Sequence, residues 1–273
     1  MTTVGAELDC HKGLDTAEAI NMLRRNGYVI LRGVLDADLV SEWRAAFVDQ
    51  NAGDLTPERS EHALQVGHLR KMLSVGLDGP FAEPAFWGSP DILSLAQAVL
   101  GPLMTLDSAT CVVSFPGARA QKVHADHPPL FDAPVGRMLP AFALSVFVPL
   151  VPADRQTGST HVLRGSHVAV KNPENPTLDA PELAVGDVMV VDYRSVHQGA
   201  ANLSDRVRPL VTLVYSKPWF RDSVNFKVQE PLKLGEGFWD GLADAHKPLF
   251  AKAQKPVSNF GFDMDMETGA QKY

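Results

Sequence analysis

The chain predicts a mostly β fold, a sandwich or barrel with helices packed on one sheet, on three observations. Amphipathic helical patterns crowd the residues before Met104, short turn-bounded apolar segments fill Met104 to Ser216, and the 273-residue, 45 % hydrophobic chain suffices for one large domain. The expected organisation is a single domain over 1–273, with a helical part at 13–103, a barrel core at about 104–220 and a C-terminal cover at 221–273. No internal repeat is evident.

Asp15 with Glu18 forms a capping-box pattern, Ala17, Ile20 and Leu23 follow at helical spacing, and Gly27 stands where a helix C-terminus favours it. A short strand, Tyr28 to Leu31, is expected next. A second helix starts after Asp36 with Leu39, Val40, Trp43 and Phe47 on one face. A third starts at Ser89-Pro90, carries Ile92, Leu95, Ala96 and Val99, and stops at Gly101-Pro102. These faces read as core.

The texture then changes. Cys111 to Phe115, Ala141 to Leu150, Asp187 to Asp192 and Val207 to Ser216 are rich in β-branched or aromatic residues and separated by Pro, Gly, Asp and Asn turns. Asn51 to Trp87 and Arg221 to Tyr273 have weaker patterns and are expected as ordered lids or covers.

A net charge of −7 and a pI near 5.7 argue against nucleic acid or an anionic membrane as partner, leaving a small molecule. Two cysteines, Cys10 and Cys111, imply no disulfide framework. Met1 to Lys12 lacks an apolar leader core, and no apolar run approaches about 18 residues. The expected location is the cytoplasm.

His124-Ala125-Asp126 places an imidazole and a carboxylate two residues apart, so a strand would turn both to one side. The turn signal Pro116-Gly117 after Cys111 to Phe115 makes such a returning strand the expectation. With His197 as third ligand, two histidines and a carboxylate form the facial set of non-heme Fe(II) oxygenases, with neighbouring coordination positions open. Gln121 precedes the triplet, and Arg208 follows His197 by eleven residues. A buried arginine calls for an anion. For Arg208 that is either a bound carboxylate or a structural partner such as Asp205.

Gln121-x-x-His124-x-Asp126, Thr157-Gly158-Ser159-Thr160, Gly165-Ser166-His167, Gly186-Asp187, His197-x-Gly199-x-x-Asn202-x-Ser204 and Arg208 occur in an order that resembles the phytanoyl-CoA dioxygenase family of Fe(II)/2-oxoglutarate oxygenases. Asn26 to Val34 looks like that family's N-terminal strand, so the resemblance spans about Asn26 to Phe220. It implies a double-stranded β-helix, a jelly-roll or cupin-like barrel with helices on one sheet. It also implies Fe(II) on His124, Asp126 and His197, and 2-oxoglutarate held by Arg208, Thr160 and Gln121, with O2 as the other cosubstrate. The middle motif departs from the family pattern, reading Thr157-Gly158 for Asn-Gly and Arg164-Gly165-Ser166-His167 for Pro-Gly-Ser-His.

The activity so implied is oxidation, most simply hydroxylation, of a C–H bond in a small, largely apolar metabolite, in the manner of natural-product biosynthesis, with succinate and CO2 as coproducts. Related halogenases replace the carboxylate by a small residue; Asp126 is retained, which disfavours halogenation. The apolar loop Pro128 to Met138 suggests a rim, with Leu130, Phe131, Met138 and, after the last strand, Trp219 as substrate contacts. His127 is a further candidate, although strand alternation sends it away from Asp126. His161 and His167 read as loop anchors. Acyl-CoA 2-hydroxylation is an alternative, disfavoured by modest Lys/Arg clustering, as is a non-catalytic cupin-like metal module, for which Arg208 would have no use. A homodimer is compatible with the sequence.

Overall fold

The computed structural model describes residues 9–11 (backbone only), 16–58, 61–132, 134–168, 177–225 and 232–253. Asp15 of the capping box, most of the segment Met1 to Lys12, the Cys10 side chain and the tail beyond 253 lie outside the described residues.

Among the described residues one sheet dominates. Its strands are β1 (Asp9–His11), β2 (Tyr28–Arg32), β3 (Ala63–Gly67), β4 (Arg70–Ser74), β5 (Thr105–Ser114), β6 (Ala143–Pro149), β8 (Val188–Asp192) and β10 (Arg208–Ser216). They lie in the order β1-β2-β8-β6-β10-β5-β4-β3, antiparallel except for β1 with β2. A smaller sheet pairs β7 (Thr160–Val162) with β9 (His197–Gly199), and single bridges widen it to His124 on one side and Asp179 on the other. Successive segments cross between the two sheets, which is the jelly-roll path of a double-stranded β-helix.

Helices α1 (Thr16–Asn26), α2 (Ala37–Gln50), α3 (Pro84–Trp87) and α4 (Pro90–Leu100) contribute to a core shared with the outer face of the large sheet. Asp36 caps α2 by accepting from the Asp38 N–H at 2.8 Å. Gly27 ends α1 at φ 83°, where a side chain would strain the backbone and strike Ser195 Oγ and His167 Nδ1. The helical faces differ from expectation in phase. Ala17 and Leu39 point outward, and Val99 is only half-buried. Ala19, Met22 and Leu23 fill the inward face of α1, and Leu100 closes that of α4, because the sheet selects the stripe each helix buries.

Alternation along β10 divides the molecule. Val211, Leu213 and Tyr215 join the helix-side core, and the Tyr215 hydroxyl donates to the Trp87 carbonyl at 2.7 Å. Arg208, Leu210, Thr212 and Val214 face the barrel interior instead. With both faces covered, β6 and β8 read as continuous apolar runs.

Asn51 to Trp87, expected as a lid or cover, contributes the hairpin β3-β4 at the edge of the large sheet. Its pattern was weak because β4 begins Arg70-Lys71, two charges in a strand where both are buried. Two further short helices are α5 (Val135–Met138) and α6 (Phe238–Gly241); after the barrel, Phe238 of α6 and Phe250 pack on Trp87 on the helix side, away from the barrel interior. Lys252 pins this cover to Asp107 at 2.8 Å and to Ser216. No described helix is long and apolar enough to cross a membrane.

Candidate metal centre and cosubstrate pocket

Backbone pairing brings the two histidines together. The His124 N–H donates to the His197 carbonyl at 2.9 Å, and the His197 N–H to the His124 carbonyl at 2.7 Å, leaving the rings 4.6 Å apart. His124 Nδ1 lies 2.8 Å from the Lys122 carbonyl and His197 Nδ1 3.0 Å from the Ser195 carbonyl. A carbonyl only accepts, so both Nδ1 atoms carry hydrogen when the rings are neutral, and each Nε2 keeps its lone pair. Although His124 is exposed at its outer edge, partial desolvation, and next the neighbouring His197, lowers its pKa and favours that neutral form.

Asp126 completes the group. Its Oδ1 stands 3.6 Å from His197 Nε2, and one ligand atom from each of the three residues lies within 4.8 Å of the others. The geometry arises differently from the expected strand. His124 forms only an isolated bridge, and Asp126 lies in a bend. Tertiary hydrogen bonds hold it: Ser145 Oγ donates to Oδ2 at 2.7 Å and Asn225 Nδ2 to the backbone carbonyl at 2.9 Å.

Arg208 is buried, and its Nε and Nη1 have no partner among the described residues. Besides burial, the charge that acts on it is that of Arg70; Asp205, the structural alternative, does not contribute. Burial, then Arg70, pulls its pKa down to about 9, and burial pulls that of Arg70 to about 10. Arg70 was not foreseen from sequence. It pairs with Ser114 from the β4 side, as Arg208 does from the β10 side, so both cations lie on one inner face. Arg70 Nη2 donates to the Ala200 carbonyl at 2.7 Å and to Ser114 Oγ at 3.2 Å, while Nε and Nη1 lack partners among the described residues. Two buried cations with unpaired donors make a site suited to an anion.

Gln121 links three segments. Its N–H donates to the Gly199 carbonyl, its Oε1 accepts from the Gly199 N–H, both at 2.9 Å, and its Nε2 donates to the Val66 carbonyl at 3.1 Å. Thr160 sits opposite Gly199 in the small sheet. Gly199 must lack a side chain, since a Cβ would lie 2.1 Å from Arg70 Nη1. The triad, Gln121, Thr160 and Arg208 all line one cavity of about 750 Å³, with Leu64, Val66, Met72, Val112, Phe147 and Leu210 among its apolar walls.

None of the five expected substrate contacts lines that cavity. His127 is buried in a cluster with Phe142, Tyr193 and Phe220, and Leu130 packs against the same group. Phe131, Met138 and Trp219 are 59 %, 79 % and 62 % exposed. Tyr193, Asn225 and Val224 line the cavity instead. No local spacing marks them; Tyr193 follows β8 directly, and Val224 and Asn225 arrive with the segment after β10. His167 is an anchor as expected, its Nε2 3.0 Å from the Arg24 carbonyl, and neighbouring Ser166 Oγ accepts from the Val196 N–H at 2.7 Å. That braces the turn into His197.

The chain matches the family model described as Phytanoyl-CoA dioxygenase (PhyH) over residues 23–210. It is 25 % identical over 214 residues to the uncharacterised protein Rv1501 of Mycobacterium tuberculosis, covering 73 % of this chain and 75 % of that one. It is 30 % identical over 115 residues to the iron/alpha-ketoglutarate-dependent dioxygenase ausO of Aspergillus calidoustus, 37 % of each chain. Among solved structures it resembles the epimerase SnoN in complex with Fe3+, alpha ketoglutarate and nogalamycin RO, with TM-score 0.58 and 20 % identity over 81 % of this chain and 94 % of that one.

Proposed function

The chain belongs to the phytanoyl-CoA dioxygenase family, and on that premise we propose that this Fe(II)/2-oxoglutarate-dependent dioxygenase oxidises, most simply hydroxylates, a C–H bond of a small, largely apolar metabolite. His124, Asp126 and His197 are the residues that hold iron, and Arg208 is the one that receives the far carboxylate of 2-oxoglutarate. The observation that carries this reading is the buried Arg208 guanidinium, with two nitrogens that lack a partner among the described residues, lining one cavity with the His-Asp-His cluster and joined by the buried Arg70 from across Ser114. A metal-binding module without catalysis has no use for two buried cations.

The donor set fits the metal. Two neutral imidazole Nε2 atoms and one carboxylate suit ferrous iron and leave about three positions for a bidentate 2-oxo acid and dioxygen. Bound there, iron supplies the oxidative chemistry that converts 2-oxoglutarate and O2 to succinate and CO2 while oxygen is delivered to substrate.

The chain's own residues bind and orient. Arg208, with its two unpaired nitrogens, anchors a carboxylate by charge-assisted hydrogen bonds, and Arg70 adds positive potential from across Ser114. Thr160 and Gln121 border the same space, and the hydrogen bonds of Gln121 to Gly199 and Val66 keep that wall rigid. Leu64, Val66, Met72, Phe147 and Val214 exclude water and favour an apolar substrate. Relatives of similar fold bear on substrate size: SnoN is named in complex with nogalamycin RO, a small molecule, which supports a natural-product metabolite.

Anaerobic addition of Fe(II) and 2-oxoglutarate should produce a weak visible charge-transfer band, and admission of oxygen should yield succinate. Absence of both would refute the oxygenase reading.

A further inference from the structure

Asp126 has two carboxylate oxygens in different surroundings. Oδ1 faces His197 Nε2 at 3.6 Å and belongs to the ligand cluster, whereas Oδ2 accepts from Ser145 Oγ at 2.7 Å. Ser145 is fully buried on β6, its side chain is on the cavity wall, and its register partner on β10 is Val214, so strand pairing fixes where its hydroxyl can reach. Behind the carboxylate, Asn225 Nδ2 donates its two hydrogens to the Asp126 backbone carbonyl at 2.9 Å and to Asp222 Oδ2 at 2.7 Å, with Tyr193 Oη 3.2 Å away. Asp222 Oδ2 accepts the Tyr193 hydroxyl at 2.7 Å. The backbone of Asp126 is therefore tied to the segment after β10, and its side-chain rotation to β6. No regular strand constrains this residue, so these bonds replace what a ladder would otherwise provide.

We propose that Ser145 is a positioning residue that holds Asp126 as a one-oxygen ligand through Oδ1, with Asn225 fixing the backbone from which that carboxylate projects. The inference rests on the iron-site reading above. A carboxylate free to rotate can bring both oxygens to a metal and consume a coordination position that cosubstrate or dioxygen requires. A hydrogen bond to Oδ2 draws electron density to the outer oxygen and keeps it turned away, so the facial openings are preserved. Ser145 touches neither substrate nor the reacting atoms in this scheme and acts only through Asp126.

The test uses the full chain, wild type, Ser145→Ala and Ser145→Thr. Three quantities are measured: Fe(II) affinity under anaerobic conditions, the position of the Fe(II)/2-oxoglutarate charge-transfer band, and the melting temperature without metal. Ser145→Ala should weaken Fe(II) by roughly ten-fold and shift the band, with the metal-free melting temperature unchanged, since water can reach the partly exposed Asp126. Ser145→Thr keeps the hydroxyl and should restore both metal readouts. Wild-type affinity and band position in Ser145→Ala would overturn the positioning role while leaving the iron site intact. Lowered metal-free stability in Ser145→Ala with an unshifted band would also overturn it, because that is what a merely structural hydroxyl predicts. Failure of the wild type itself to bind Fe(II) would sink the iron-site reading, and this inference with it.

Discussion

Arg208 and Arg70 flank Ser114 on the inner face of the large sheet, each in register with it from opposite sides, and each keeps two buried guanidinium nitrogens without a partner among the described residues. Like charges held so in a desolvated wall destabilise the ligand-free fold, and a dianionic cosubstrate would relieve them. Arg208→Met should therefore raise the melting temperature of the ligand-free protein. The same change should weaken 2-oxoglutarate roughly ten- to hundred-fold, from about 1.5–3 kcal/mol for a charged hydrogen-bonded contact. Calorimetry with 2-oxoglutarate and a thermal melt check both, and undiminished affinity would remove Arg208 from the cosubstrate site.

Ligand binding to the native state alone should stabilise it by mass action. Fe(II) with 2-oxoglutarate at about a hundred times its dissociation constant adds about 2.7 kcal/mol, or roughly 5–10 °C in Tm. Asp126→Ala should abolish this increment, lower bound iron and eliminate succinate production. A full thermal shift in that variant would contradict the ligand assignment.

The residues around the loop after Asp126 separate by burial. His127 stacks at 6.4 Å with Tyr193 and meets Phe142 and Phe220 edge-on, so His127→Ala should cost about 2–3 kcal/mol in stability. Met138→Ala and Trp219→Ala, at exposed positions, should stay within about 0.5 kcal/mol of wild type and leave kcat unchanged. Denaturant unfolding and steady-state turnover distinguish these outcomes.

Acid should destabilise the fold partly through His167. Burial lowers its pKa below the usual histidine value of about 6.5, and its Nδ1 is buried without a partner among the described residues. Below about 6.5 the unfolded chain takes up a proton that the native ring refuses, so stability present above that pH is lost as pH falls toward the native value. His167→Asn should flatten the dependence of unfolding free energy on pH between about 7 and 5. An unchanged slope would assign the acid sensitivity elsewhere.

The three longer helices, the strands expected at Tyr28 to Leu31 and Val207 to Ser216, and the order of the motifs were legible because each rests on local periodicity or fixed spacing. The hairpin Ala63–Gly67 and Arg70–Ser74 was not, since its charges break the apolar pattern that marks a strand. The rim residues were misjudged for a related reason. Apolar character in Pro128 to Met138 says that the loop can pack, but not against what, and Leu130 packs on the Phe220 cluster while Phe131 faces outward.

By itself the sequence determined the jelly-roll class, the family, and the identities of His124, Asp126, His197 and Arg208 as chemically apt groups, because residue type and short-range order carry that information. Tertiary structure alone decided that Arg70 lies beside Arg208, that Asp126 is oriented by Ser145 and Asn225 in the absence of a strand, and that the cavity excludes the expected rim. Those facts depend on strand register and on hydrogen bonds between distant segments, which pairing across the sheet creates and no local spacing encodes.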